Sequence, residues 1–395
     1  MSSIRTVLPM ALVTCTSMLT MDLYLPAIPD LQRGLGLSLE QGQATVAVFL
    51  VGLAVSQLLW GAALQRLGPR NCVAAGLLGL LVATLGCALA DGAAMLLAMR
   101  LAQGVASGAA TVVAPTVIRA TLPEKDGVRG IAAIAMVEAV VPAAGPVAGT
   151  VLLVFTDWRG TFWALALMIL IAFPFALRAS PAKLPGHDVP AAVGYLSLLR
   201  DARYLRVALC HALGFGALLT FVASAPQLFL QVFGLGPGSF ALAQAIGVGT
   251  FILLASQAGR ISDRIGVSRA IRWGAWLHVM LCMAFLVAAA AGVVTFHGTL
   301  VFWSGFCGVL AIRGPAAFSE ALAVPAPQMG RASALLVLAL LAAGAAGTQL
   351  AAIFLATAGM TAVATVMVAL TLASALLVTG YSRHQGQCPQ RRRSP

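Results

Sequence analysis

Charge is scarce in this sequence. Of its 395 residues, 9% are Asp, Glu, Lys or Arg and 60% are hydrophobic, against about 25% charged residues in an ordinary soluble domain. A water-facing globular domain is therefore excluded. Histidine is also sparse, with five dispersed residues. The seven cysteines, Cys15, Cys72, Cys87, Cys210, Cys282, Cys307 and Cys388, form no Cys-x-x-Cys and have no nearby histidine at a ligand spacing. That argues against a metal centre and against a disulfide framework. No glycine-rich phosphate loop and no nucleophile elbow is present, so the sequence offers no enzyme chemistry, no cofactor site and no metal site.

Long apolar runs are abundant instead. Runs of about 20 residues, the length a helix needs to cross roughly 30 Å of hydrocarbon, recur along the whole chain. Twelve are expected, over 7–27, 41–63, 72–90, 94–118, 131–154, 160–178, 205–231, 238–259, 270–293, 298–321, 332–355 and 360–380. The first is too long for a secretory signal and lacks a small-residue cleavage site before "DLYLPAIP", so it reads as a retained span. An all-α membrane protein follows, with a lipid bilayer as its solvent.

The net charge of +12 would suit a nucleic-acid partner only if the basic residues shared one soluble groove. They lie in alternate connections between spans. Of 24 Lys and Arg, 20 fall in one set, running from Arg5, Arg66 and Arg70 to Arg391, Arg392 and Arg393. Two, Arg33 and Arg159, fall in the other set, and Arg100 and Arg313 lie within spans (20 + 2 + 2 = 24). The positive-inside rule then predicts both termini on the cytoplasmic side, and no nucleic acid. In "DWRGTFW", Trp158 and Arg159 read as an interfacial anchor.

The one long polar, proline-containing stretch, "RASPAKLPGHDVPAAVGYLSLLRDARYLR", divides the chain. The expected units are a six-helix bundle over 1–179, a linker over 180–204, a second six-helix bundle over 205–382 and a basic tail over 383–395. An internal repeat supports the division, because "GAALQRLGPR" begins at Gly61 and "GRISDRIGVSR" at Gly259, 198 residues later. Duplicated halves with a substrate site near their interface are a transporter design.

These loops resemble a known family. "GRISDRIGVSR", through Gly259, Asp263, Arg264 and Gly266, resembles the loop signature of the major facilitator superfamily. "RLAQG", through Arg100, Gln103 and Gly104, resembles its fourth-helix signature. "VPAAGPVAGT", through Pro142, Gly145, Pro146 and Gly149, resembles the fifth-helix motif of its drug/proton antiporters. "DLYLPAIP" is similar to a first-helix run of the bicyclomycin and chloramphenicol-resistance branch. The resemblance implies two six-helix bundles working by alternating access, and a monomer that exchanges protons for a small, partly apolar solute such as a drug. It also allows export of an endogenous metabolite, such as a siderophore, amino acid or sugar. A non-transporting sensor on the same fold is the remaining alternative. The chain departs from the family at Gln65 and Pro69, where Asp and Arg are usual. The latch at cytoplasmic helix ends that the Asp serves in the family is expected to be neutral here, or transferred to Asp263.

Charges inside spans carry the chemistry, because an ionised group in hydrocarbon costs several kcal/mol and persists where it pairs, faces the bundle interior or exchanges protons. Asp22 lies about fifteen residues into an outward-running helix and Arg100 about six into an inward-running one, so their depths match. Their pairing is expected to serve coupling or substrate binding. Pro26 cannot donate to the carbonyl of Asp22, and Pro142 stands in the same relation to Glu138, so each acid adjoins an opened helix. Glu138 is a second candidate for a proton or a substrate cation. Arg313 is a candidate partner for an anionic solute or a buried acid, while Glu320 is expected to pair with loop arginines. Gly145, Pro146 and Gly149 make the fifth span thin and bendable, and Gly104 and Gly108 read as helix contacts. Tyr24 sits about 200° from Asp22 around the helix, so the two cannot share one direction.

Overall fold

A computed structural model describes residues 2–182, 195–325 and 328–379, and every regular element among them is helical. With so few polar side chains, backbone groups must be satisfied within each segment, and a helix does this in lipid. The elements are α1 (Ser2–Asp22), a 3-10 turn (Leu25–Ala27), α2 (Ile28–Leu35), α3 (Leu39–Ala88), α4 (Ala93–Thr121), α5 (Glu124–Phe155) and α6 (Trp158–Ala179). They continue with the short α7 (Tyr195–Leu199), α8 (Ala202–Phe233), α9 (Pro237–Ile265), α10 (Val267–Ala290), α11 (Phe296–Ala321) and α12 (Met329–Val378).

Among the described residues, ten helical stretches are long and apolar enough to cross a membrane, and the bent α5 makes eleven. The last of them, 48 residues from Arg331 to Val378, breaks at Gly359, where φ 50 and ψ −125 leave helical space. Divided there, it supplies the eleventh and twelfth spans of a twelve-span, all-α membrane protein. The second and third spans lie in α3 and meet at Gly68. The expected first span, 7–27, is too short, since the apolar stretch runs from Ile4 to Leu35 in broken form. The linker from 183 to 194, with Lys183, and the tail over 383–395 lie outside the described residues, as do the side chains of Gln65 and Lys125.

The duplication is visible in the backbone. Gly36 and Gly234 end helices at φ 61 and φ 65, and Gly68 and Gly266 turn between spans at φ 77 and φ 89. Each pair is separated by 198 residues (234 − 36 and 266 − 68), the spacing of the loop repeat. These positive φ values are open to glycine at little cost.

The two proline-marked acids coincide with real breaks. α1 stops at Asp22; Leu23 still donates its N–H to the carbonyl of Leu19 at 3.1 Å, and the next turn is tightened by the Ala27 N–H on the carbonyl of Tyr24 at 2.8 Å. α5 bends by 42° between Glu138 and Val140.

Packing distinguishes the two ends of the molecule. At one end a single apolar core joins both halves, with Tyr24, Leu31 and Phe49 from the first and Phe221, Phe229, Phe240 and Leu355 from the second. Two hydrogen bonds cross the halves there: Gln349 Nε2 to Glu40 Oε1, and Thr150 Oγ1 to the carbonyl of Pro237, each 3.4 Å. The end where α1 begins is different. Its cores belong to one half each, one built from Met10 through Ala176 and the other from Leu198 through Val378. Exposed Arg5, Arg66, Arg119, Arg206, Arg260 and Arg269 lie at this basic end. Among the described residues, the halves therefore share a core at one end and keep separate cores at the basic end.

Trp158 is not an interfacial anchor. It is 2% exposed, with Phe162 edge-on to it at 6.1 Å and Gly34 so close that an added Cβ would lie 2.7 Å from its Nε1. Its neighbour Arg159 stacks on it at 4.1 Å and donates to the carbonyls of Ala88 and Ala90 at 3.1 and 2.9 Å, tying α6 to the end of α3.

Candidate functional site

Arg100 is fully enclosed, at 0% exposure. Its Nε donates to the carbonyl of Thr45 at 3.2 Å, and its Nη1 to the carbonyl of Thr20 at 3.0 Å and to Gln103 Oε1 at 2.8 Å. Gln103 passes the chain of bonds to Thr84 Oγ1 at 2.9 Å. The guanidinium is roofed by the rings of Tyr24 and Phe49, at 4.4 and 4.6 Å. The contact with Thr20 puts Arg100 at the depth of the end of α1, as the sequence implies. The predicted Asp22–Arg100 pair is nevertheless absent: none of the four ion pairs among the described residues includes either. The reason is angular. Tyr24 takes the direction toward Arg100, with its hydroxyl bonded to Thr45 Oγ1, and Asp22, about 200° away, points at α5.

Asp22 is 7% exposed and lies against the glycine motif of α5. A Cβ added at Gly145 would stand 2.6 Å from the Asp22 Cβ, and one at Gly149 would stand 3.1 Å from the carbonyl carbon of Leu23. The small residues of this motif therefore let α5 press onto the broken end of α1. Gly104 allows a similar approach between α4 and α3, since an added Cβ would come within 2.9 Å of the Leu53 nitrogen. Pro146 is buried, and Pro142 is half-buried.

Glu138 is exposed on α5 and belongs to none of the four ion pairs. Arg313 is 0% exposed, which leaves it no opening toward an anionic solute in this conformation. Its Nη1 meets His278 Nδ1 at 3.1 Å, and its Nη2 donates to the carbonyl of Cys210 at 2.8 Å and to Ser374 Oγ at 3.0 Å. These bonds brace α8, α10, α11 and α12 together, and neither Asp22 nor Glu138 takes part. Glu320 binds Arg203 at 2.6 Å. Gly259, Asp263, Arg264 and Gly266 lie at the basic end of α9, with both charged residues exposed and in no ion pair among the described residues. A latch through Asp263 is thus not formed in this conformation.

Sequence reasoning missed the aromatic assembly of the second half. Trp303 stacks on Phe221 at 4.5 Å, Phe302 on Phe285 at 4.0 Å and Phe306 on His278 at 4.2 Å. The cluster "LVFWSGF" in α11 was its available signal. A groove of about 490 Å³ between α9 and α11 is lined by Val301, Gly305, Gly308 and Ile312 on one face of α11. Val301 is 74% exposed, while Trp303, Phe306 and Arg313 occupy the inward face. The groove therefore opens on the outer flank and is separate from the space between the halves.

Known proteins share this architecture. A family model described as Major Facilitator Superfamily matches residues 10–348. A chloramphenicol resistance protein of Pseudomonas aeruginosa is 29% identical over 262 residues, 65% of this chain and 62% of that protein. Multidrug resistance protein MdtL of Escherichia coli is 26% identical over 231 residues, 58% of this chain and 59% of its own. The matched region thus spans about three fifths of the length of these relatives. Among solved structures, a D-xylose-proton symporter aligns with a TM-score of 0.77 at 15% identity, covering 95% of this chain and 96% of that one. A bacterial homolog of the human lysosomal transporter Spinster, in an inward-facing and occupied conformation, aligns at 0.73 with 13% identity over 94% of each.

Proposed function

Because the chain belongs to the major facilitator superfamily, we propose that this multi-pass membrane protein exports drugs or other small, partly apolar solutes by alternating access, in exchange for protons. The basic end faces the cytoplasm of a bacterial inner membrane in this reading, by the positive-inside rule. The conformation then opens inward, and a monomer is the working unit. One observation carries the reading: two acids in no ion pair among the described residues, Asp22 and Glu138, stand at breaks in the neighbouring helices α1 and α5, within spans otherwise almost free of charge. Asp22, buried and in no ion pair among the described residues, is suited to binding and releasing a proton. In the cycle, solute enters from the cytoplasm, the acid gives up its proton inward, and rocking of the halves releases solute outside and reloads the acid. Each charge moved inward is worth about 2.3 kcal/mol per 100 mV, a roughly fiftyfold gradient.

The relatives named for chloramphenicol and multidrug resistance support a drug-like solute. An acidic endogenous metabolite has less support, since Arg313 is enclosed. The test is uptake into proteoliposomes holding the purified chain under an imposed pH gradient, with chloramphenicol as first solute. Gradient-dependent movement that is lost in Asp22→Asn is the expected result. Absence of movement across a solute panel would return the chain to the sensor alternative, and full activity in Asp22→Asn would remove that acid from the coupling step.

A further inference from the structure

We propose that the groove between α9 and α11 is a binding site for one acyl chain of a bilayer phospholipid, in the leaflet on the side where the halves share a core. The site is separate from the solute path, and it requires the chain to span a membrane but not to exchange protons.

Width is the first argument. Ile246, Thr250 and Leu254 recur every four residues along α9, and Val301, Gly305, Gly308 and Ile312 form one stripe on α11. From Val301 to Ile312 the groove is about 16 Å long, at 1.5 Å per residue. Its volume of about 490 Å³ over that length gives a cross-section of roughly 30 Å², or about 5–6 Å across. A helix from a second copy, about 10 Å thick, is too wide to enter. A row of methylenes enters, because its carbons need about 4 Å to their neighbours. Two glycines set the floor. A Cβ added at Gly308 would lie 2.8 Å from Leu254 Cδ1, and one at Gly305 would find Leu281 nearest, at 3.7 Å.

Depth is the second. Phe296, at the start of α11, meets Phe229 of the shared core at 5.4 Å, and Glu320 near its finish binds Arg203 at the basic end. The 26 residues of α11 extend about 39 Å, so about 30 Å of the helix lies in hydrocarbon with about 4–5 Å beyond it at each end. Val301 is five residues in and Ile312 sixteen, about 7 and 24 Å from the start. The groove therefore runs from about 3 Å inside the hydrocarbon to a little past its middle at about 15 Å. That is the reach of one chain entering from one side.

The third argument is chemistry. With Ser304 donating to Thr250 Oγ1 at 2.8 Å and Thr250 to the carbonyl of Ile246 at 2.9 Å, both hydroxyl protons in the lining are used. An apolar occupant leaves neither unpaired. No charged residue lines the groove, and the titratable group one turn before Val301 is the exposed His297. The chain is recognised here, and the head group is not. Since a lipid chain gains no transfer energy by leaving other lipid, the preference comes from dispersion contact with several walls instead of one.

The test uses the full chain in vesicles of phosphatidylethanolamine and phosphatidylglycerol, doped with a phosphatidylcholine that carries a diazirine midway along one chain. After photolysis, adducts are mapped by mass spectrometry. Met280 and Val287, 63% and 64% exposed on α10, give the level of ordinary surrounding lipid. Groove residues are expected to exceed it about threefold or more. Gly305→Leu, which fills the groove, should bring them down to that level, and Val301→Trp at the mouth should do the same if the first variant does not fold. Moving the diazirine chain to phosphatidylglycerol should leave the pattern unchanged. The proposal is overturned if wild-type groove adducts do not exceed the α10 level, if neither variant lowers them, or if they follow the head group. Displacement of the label by chloramphenicol would assign the groove to solute, and a dimer by light scattering that Gly305→Leu dissociates would assign it to a second copy. Loss of proton-driven transport in any preparation bears on the exporter reading alone.

Discussion

Gly145→Ala tests the contact on which the acid of α1 depends. The added Cβ would lie 2.6 Å from the Asp22 Cβ, 3.2 Å from Leu19 Cδ2 and 3.3 Å from the Asp22 carbonyl carbon. Leu19 can turn away, but the Asp22 Cβ is fixed to its backbone. Ordinary contact at about 3.4–4 Å requires α1 and α5 to separate by roughly 1 Å, and overpacking of this kind costs about 1–3 kcal/mol. The comparison is Gly249→Ala in α9, where nothing lies within 4 Å of the new methyl and helix propensity favours Ala by about 1 kcal/mol. Unfolding midpoints in detergent should fall for the first variant and hold or rise for the second. Proton-driven solute uptake should fall up to about a hundredfold for the first, since a displacement of about 1 Å can cost that much at a reacting group. A Gly145→Ala protein as stable and as active as the Gly249→Ala protein would refute the close α1–α5 contact.

Arg313→Ala removes the partner of the Cys210 carbonyl, Ser374 and His278 in one step, and buried groups left unpaired cost about 1–3 kcal/mol each. A loss of monodisperse protein on size exclusion is expected, and Arg313→Lys should not restore it, because one ammonium cannot reproduce the fork. Gly359→Ala places a side chain at φ 50, ψ −125 with open space around it, so the cost is one of backbone strain, about 1–3 kcal/mol. The thermal midpoint should fall although no contact is disturbed.

The twelve spans were legible because hydrocarbon thickness sets one length and one composition, and the helix breaks because Pro26 and Pro142 each withhold a donor from an acid's carbonyl. Gly36 and Gly234 repeat at the spacing read from the loops for the same reason: a left-handed turn has few candidate residues. The direction of Asp22 was less accessible. Matching depth brought it to the level of Arg100, but the choice between Asp22 and Tyr24 depends on azimuth around a helix that stops at that point. Arg313 illustrates a second limit, since its partners come from α8, α10 and α12 and include a carbonyl that sequence does not mark as special. Glu320 stood close to the basic loops, where depth alone suggests an arginine, and Arg203 is there.

The end with the shared core contains polar atoms that its packing does not satisfy. Gln43 in α3 and Thr348 in α12, on the helices that meet across the halves, have no hydrogen-bond partner for their side-chain atoms among the described residues, nor do Ser224 Oγ and Gln227 Oε1 in α8. Each such group costs about 1–3 kcal/mol while buried and regains water once the halves part. A perfectly fitted seal would be a trap, its depth setting the slowest step of any cycle. In the proposed cycle these unpaired groups make the closed end less costly to open than one whose buried polar atoms were all paired.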